Sequence, residues 1–518
     1  MKLKLLYTGL LLAGSMSAFA QDTPDPAVTA RIREEGLNHS QVMDIAFHLT
    51  DVSGPRLAGS PGLKRAQEWA VNQLKTWGMV NVAREPWGKF GKGWEVQKNY
   101  AAMTVPYYHA IIAIPRAWTP GTNGLIKADV IYVKADTITD LEKYKGKLKG
   151  KVVVIDAVAP AEQNFRTPEA QRTADSTLAQ MENPQQGGGR RGGQGNFRRG
   201  GGRGVPARDM AKFEAEEGAA MVLAQARGTD GTVFTTNGAS YAVDAPAVSP
   251  TLETSAEDYQ RILRLAKTGV KVEMELDIKT EFFDKDLQGY NVVGEIPGTD
   301  PNLKPQLVML GGHLDSWHGA TGGTDNAAGS AVMMEAMRIL SRVGIKPRRT
   351  IRIALWSSEE QGEFGSENYV LNHFGDAKTM ELKPDQAKVS AYYNIDNGTG
   401  KIRGIYLQGN AAVGPIFKKW LAPFTDIGAT TTTTIRNTGS TDHVAFDNVG
   451  IPGFQFIQDG IDYNTRTHHS NQDTYDKLIP EDLKQMSTIV ASFVYNTAQR
   501  DEMLPRKPLR KAGDPVSR

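Results

Sequence analysis

From Gly289 onward the chain repeats one pattern: a short apolar run, a polar or glycine-rich loop, then apolar residues at helical spacing. Residues 290–296, 307–310, 350–356, 389–395 and 451–457 read as strands, with the length and composition of strands buried on both faces. After the second of them a glycine-rich loop leads to Asn326, where a helix opens with Val332, Met333, Ala336 and Leu340 on its apolar side. Residues 479–496 predict a terminal amphipathic helix begun by Pro480. Strands alternating with helices predict an α/β fold on a mixed, mostly parallel sheet flanked by helices.

The N-terminal third carries a second pattern. Ser60-Pro61 predicts a capped helix start, and Leu63, Ala66, Ala70 and Leu74 follow at helical spacing until Gly78. Beyond Pro120-Gly121, residues 125–134, 150–156, 219–226 and 270–278 are β-rich, which predicts an inserted β-rich domain over 122–282. Within it, 187–204 is a Gly/Arg stretch whose one apolar side chain, Phe197, cannot make a core, and it is expected to be a disordered loop. The expected organisation is therefore a signal peptide at 1–20, an N-terminal part of the main domain at 21–121, the insert at 122–282, the main domain at 283–500 and a loose tail at 501–518.

Composition narrows the class. A chain of 518 residues exceeds one ordinary core, in keeping with two domains. Its net charge of +2 falls to neutrality without Lys2 and Lys4, which argues against bulk binding to nucleic acid or a membrane surface. Those two lysines, the apolar run that follows and Ala18-Phe19-Ala20 form the three parts of an export signal cleaved near Ala20. Ser15 stands where a lipoprotein signal needs cysteine, and the apolar run is short for a membrane span. An exported protein, periplasmic or secreted, is expected. The chain has no cysteine, so any metal site must be built from His, Asp and Glu.

Three strand ends carry such residues: His313 and Asp315, then Glu359 and Glu360, then Asp396. Asp325 follows the first, and His468-His469 precedes the last helix. A lone Glu-Glu pair is usually a solvated helix start. Acids repeated at successive strand ends beside histidines would repel one another unless a cation joined them.

His313-Leu314-Asp315, Thr324-Asp325-Asn326, Glu359-Glu360, Asp396 and His469-x-x-x-Asp473-Thr474 resemble the motifs of the M28 family of zinc exopeptidases. The segments 54–70 and 468–474 look most like its carboxypeptidase Q branch, and the insert resembles a protease-associated (PA) domain. The resemblance implies two Zn²⁺ per chain, His313 and Asp396 on one, Glu360 and His469 on the other, and Asp325 bridging through a cis peptide to Asn326. It implies Glu359 as general base, and Asp315 as the acceptor that orients His313. His468 competes with His469, and the spacing to Asp473 favours the latter. The implied substrates are short peptides, with aminopeptidase and carboxypeptidase Q-like dipeptidase action both open. The alternative is an inactive receptor on the same scaffold. Neither nucleic acid nor a membrane span is expected, and the oligomeric state is open, a homodimer included. Some members place an oxyanion-stabilising tyrosine before a Ser-Asp-His segment, but residues 437–443 contain none, leaving Tyr463, another donor or the metals alone.

Overall fold

In the computed structural model the described residues are 22–156, 172–182, 205–235 and 237–517. The expected signal peptide and the Gly/Arg stretch lie outside them. Among the described residues no helix is long and apolar enough to cross a membrane.

Two eight-stranded sheets organise the chain. The first runs in the order β1 (Val80–Lys89), β10 (Gln288–Ile296), β12 (Thr350–Trp356), β11 (Leu307–His313), β13 (Val389–Asn394), β16 (Gly453–Gln458), β14 (Ile402–Tyr406) and β15 (Thr432–Thr434). Its centre, β12-β11-β13-β16, is parallel, while β10 and β14 pair antiparallel on either side. This is the mixed sheet the apolar runs predict, and helices cover it.

On one face the helices Ala328–Val343, Pro480–Gln499 and Pro26–Asn38 pack together in the main core. Thirteen residues of Ala328–Val343 are buried, Met333, Met337 and Leu340 among them. Each such side chain contributes about 1.5–3 kcal/mol through burial. On the other face Tyr392 stacks on Phe446, with ring centroids 4.2 Å apart, beside Trp356.

The second sheet has the order β3 (His109–Ala110), β2 (Gly93–Val105), β9 (Glu273–Phe283), β5 (Ile126–Val133), β6 (Val152–Ile155), β7 (Met221–Gln225), β8 (Thr251–Thr254) and β4 (Ala113–Pro115). It begins at Gly93, upstream of the turn signal at Pro120-Gly121, because β2 pairs along β9 from Gly93 opposite Phe283 to Val105 opposite Glu273. Such a partner lies far away in sequence and leaves no local signature.

The tail, expected to be loose, is instead tied to the main domain. Arg506 donates to the carbonyls of Gln386 and Val389, Lys507 pairs with Asp447 at 2.7 Å, and Asn448 donates to the Ser517 carbonyl. Its basic residues meet carbonyls and a carboxylate left over by the fold.

Candidate metal centre

Parallel register brings the polar strand ends together. His313 on β11 lies opposite Trp356 on β12, so Glu359 and Glu360 leave the sheet just beyond it. Gly311 lies opposite Asn394 on β13, which sets Asp396 at the same edge. Ligand sites form outside the carboxyl ends of strands in open α/β sheets, and here that edge carries all three.

The turn Gly323–Ala327 supplies Asp325. Asp473 holds it in place by accepting the backbone N–H groups of Thr324 at 2.6 Å and Asp325 at 3.0 Å. Asn326 completes the turn, donating to the Ile395 carbonyl and accepting from Gly329 N–H. A Cβ on Gly329 would come within 2.3 Å of the Ile395 oxygen, so only glycine lets the helix start approach this closely. The Asp325–Asn326 peptide is cis.

Asp325 stands between two histidines. Its Oδ1 lies 3.3 Å from His313 Nε2, and its Oδ2 lies 3.1 Å from His469 Nε2. His313 Nε2 is also 3.2 Å from Asp396 Oδ1 and 3.9 Å from Glu359 Oε2. His469 Nε2 is 2.8 Å from Glu360 Oε2. The five expected metal ligands and Glu359 therefore meet in one largely buried cluster. Asp325 Oδ2 is buried without a hydrogen bond of good geometry, and both carboxylates of the glutamate pair lie against imidazoles. A surplus of acids over histidines, all nitrogen and oxygen donors, suits divalent cations. His313, Asp325 and Asp396 could hold one, as could Asp325 with His468 and His469.

The two adjacent histidines differ. Burial opposes protonation of His469, but Glu360 and Asp325 outweigh it and push its imidazole up to about 10. His468 is driven down to about 4 by burial and by the neighbouring His469; it lies 3.7 Å from Asp325 and stacks on Tyr463. Burial raises the carboxyls of both glutamates, Glu360 to about 7. Asp396 and Asp442 add to the rise at Glu359, against the attraction of His313. Tyr463 is held well above the ordinary phenol range by burial and by Asp325, Asp396 and both glutamates, so its hydroxyl stays protonated.

Asp315 differs from its expected part. The group that accepts His313 Nδ1–H, at 3.0 Å, is the Asp315 backbone carbonyl; its carboxylate is 3.8 Å away. That carboxylate accepts the backbone N–H groups of Glu359 and Glu360 at 3.2 and 3.3 Å. Spacing alone cannot distinguish a residue's carbonyl from its side chain.

Arg56, within the segment 54–70 but given no role from the sequence, is fully buried behind the cluster. Its guanidinium donates to the carbonyls of Leu49, Leu314, Thr321 and Gly322, joining the loops after His313 and before Asp325. Burial lowers it to about 10, with Asp473 and Asp315 opposing. An arginine in a Gly-Pro-rich loop has no local mark of burial; the available signals were its place in the segment 54–70 and between two turn-forming stretches.

The chain is 25% identical to carboxypeptidase Q of Mus musculus over 97% of this chain and 98% of that protein. It is similar to the crystal structure of a peptidase M28 precursor from Shewanella amazonensis SB2B, with 26% identity, 93% and 98% of the two chains covered, and a TM-score of 0.65. It shares the fold of BSAP, a zinc aminopeptidase from Bacillus subtilis, at 18% identity and a TM-score of 0.52 over 88% of this chain and 93% of that one. Residues 291–494, the span that holds the parallel strands and their polar ends, match peptidase family M28.

Proposed function

We propose that the chain is an exported dizinc exopeptidase that hydrolyses peptide bonds of short peptides. The observation that carries this reading is Asp325, whose two oxygens face two separate histidines, each with its own second carboxylate. His313 and Asp396 would hold one ion, Glu360 and His469 the other, and Asp325 both. When bound, the ions polarise the scissile carbonyl and lower the pKa of the attacking water.

Glu359 faces the cluster and is left over as the proton carrier. Its Oε2 lies 3.9 Å from His313 Nε2 at the edge of the cluster, a position from which a carboxylate takes a proton from water and delivers it to the leaving amine. Asp315 fixes both glutamates through their backbone N–H groups. Tyr463, protonated and stacked beside His468, supplies a donor for the developing oxyanion. The inserted sheet corresponds to the PA-like domain, and the presence of Glu359 beside a full ligand set favours an enzyme over an inactive receptor. The test is metal analysis together with hydrolysis of free, N-blocked and C-blocked dipeptides. Turnover of the free and C-blocked forms alone would mark an aminopeptidase; a need for a free carboxylate would mark a carboxypeptidase or dipeptidase. Full activity in metal-free protein would overturn the reading.

A further inference from the structure

The loop 459–473 carries both His468 and His469, and the inserted segment grips it at both ends. We infer that the insert is a positioning element of the metal centre, holding His469 in place for the ion it shares with Glu360. The inference rests on the dizinc reading and adds a dependence that the ligand set does not contain.

At the end nearest the ligands, residues 231–235 of the insert run beside residues 469–472. Thr235 N–H donates to the His469 carbonyl at 2.7 Å. Asn471 exchanges backbone and side-chain bonds with one short segment: its N–H donates to the Val233 carbonyl at 3.0 Å, its Oδ1 accepts Val233 N–H at 2.8 Å, and its Nδ2 donates to the Gly231 carbonyl at 3.1 Å. Gln472 Nε2 reaches Thr232 Oγ1 at 3.0 Å. His469 itself has φ +63°, in the left-handed region that a residue with a Cβ adopts only when its surroundings compel it. The bond from Thr235 to its carbonyl is one of those constraints.

At the other end the insert supplies a cation. Arg172, from the connection between β6 and β7, pairs with Asp459 Oδ2 at 3.0 Å and, through two bonds of 2.6 and 3.0 Å, with both oxygens of Asp482. Thr173 N–H donates to Asp459 Oδ1 at 2.9 Å, where Arg403 also binds at 3.1 Å. Asp459 and Asp482 are both fully buried. Arg172 is itself 44% exposed and Arg403 also meets Asp459, so removing Arg172 loosens this anchor by its two bonds to Asp482 and its one bond to Asp459. The loop start is therefore anchored by charge and the loop end by a short backbone ladder, with both histidines between them.

Residues that orient a metal ligand typically change metal affinity by 10–100-fold when removed. Because His313 ends β11 and Asp396 follows β13, both off this loop, the effect should fall mainly on the ion that His469 shares with Glu360. The experiment titrates the metal-free full chain with Zn²⁺ against a chromophoric chelator, for wild type, Asn471→Ala, Asn471→Asp and Arg172→Met. Circular dichroism confirms the fold of each, and hydrogen exchange follows residues 459–473. Wild type is expected to bind two ions. Asn471→Ala and Arg172→Met should bind one ion as wild type does and the other about 10–100-fold more weakly, with faster exchange over 459–473. Asn471→Asp, which keeps the acceptor for Val233 N–H, should recover part of the loss. Two ions bound at wild-type affinity in both Asn471→Ala and Arg172→Met would overturn the inference alone, as would equal weakening of both ions. Fewer than two ions in wild type would overturn the dizinc reading and the inference with it.

Discussion

The carboxylate of Asp315 accepts the backbone N–H of Glu359 at 3.2 Å, so the residue that follows β11 fixes the residues that follow β12. The same carboxylate takes Glu360 N–H, and the Asp315 carbonyl orients His313. One residue thus couples a histidine on one strand end to two acids on the next. Replacing Asp315 by Ala strands two buried N–H donors and should cost about 1–3 kcal/mol for each; Asp315→Asn, which retains an acceptor, should cost less. Thermal melts and turnover of both variants check this ranking.

The adjacent glutamates should separate by role. Glu359→Gln is expected to leave both ions bound and to lower kcat by about 10²–10⁴-fold, the usual worth of a general base. Glu360→Gln should instead weaken one ion. Metal stoichiometry measured beside turnover distinguishes them, and loss of metal in Glu359→Gln with retained turnover would exchange the two assignments.

Chelation should lower stability as well as activity. Ions that bind only the folded chain stabilise it by mass action, and the cluster packs acids against one another once they leave. A melting temperature that falls on chelation and returns with Zn²⁺ is the expected result. An unchanged melting temperature would place the ions outside the folded core.

Arg56→Met should be among the costliest single changes. It leaves the carbonyls of Leu49, Leu314, Thr321 and Gly322 without their shared donor, all around a fully buried side chain. Losing buried hydrogen-bond partners costs about 1–3 kcal/mol for each stranded group, so several kcal/mol are at stake. Arg56→Lys, with a point charge in place of a planar fork, should recover only part. Denaturant unfolding measures both.

Glu214, on the helix Ala207–Glu216 of the insert, gives a pH prediction away from the metal centre. Burial pushes its carboxyl up from 4.5 to about 7, with Arg116 opposing. The folded chain then holds a proton that the unfolded chain releases. The associated stability is fully present below pH 4.5 and is lost as pH rises to about 7. The swing is on the order of 3 kcal/mol at about 1.4 kcal/mol per pKa unit. Glu214→Gln should remove this swing, so that its stability relative to wild type improves between pH 5 and pH 8. Unfolding curves at the two pH values check the sign.

What the sequence determined by itself was whatever chemistry and periodicity write locally. Apolar runs of strand length ended at His313, Glu359 and Asp396, and the absence of cysteine restricted any metal site to nitrogen and oxygen donors. The parallel centre of the first sheet followed from the same alternation of strand and helix. Tertiary structure alone decided the rest, because those features depend on partners far away in the chain. Strand β2 joins the second sheet through β9, some 180 residues later in the order. Arg56 and the basic tail look like ordinary solvated side chains until the fold sets carbonyls against them, and Asp473, legible only as part of a motif, gains its role by accepting the backbone N–H groups of the Asp325 turn. The division of labour within Asp315, carbonyl to the histidine and carboxylate to the glutamates, is likewise a matter of direction in space, which residue identity does not encode.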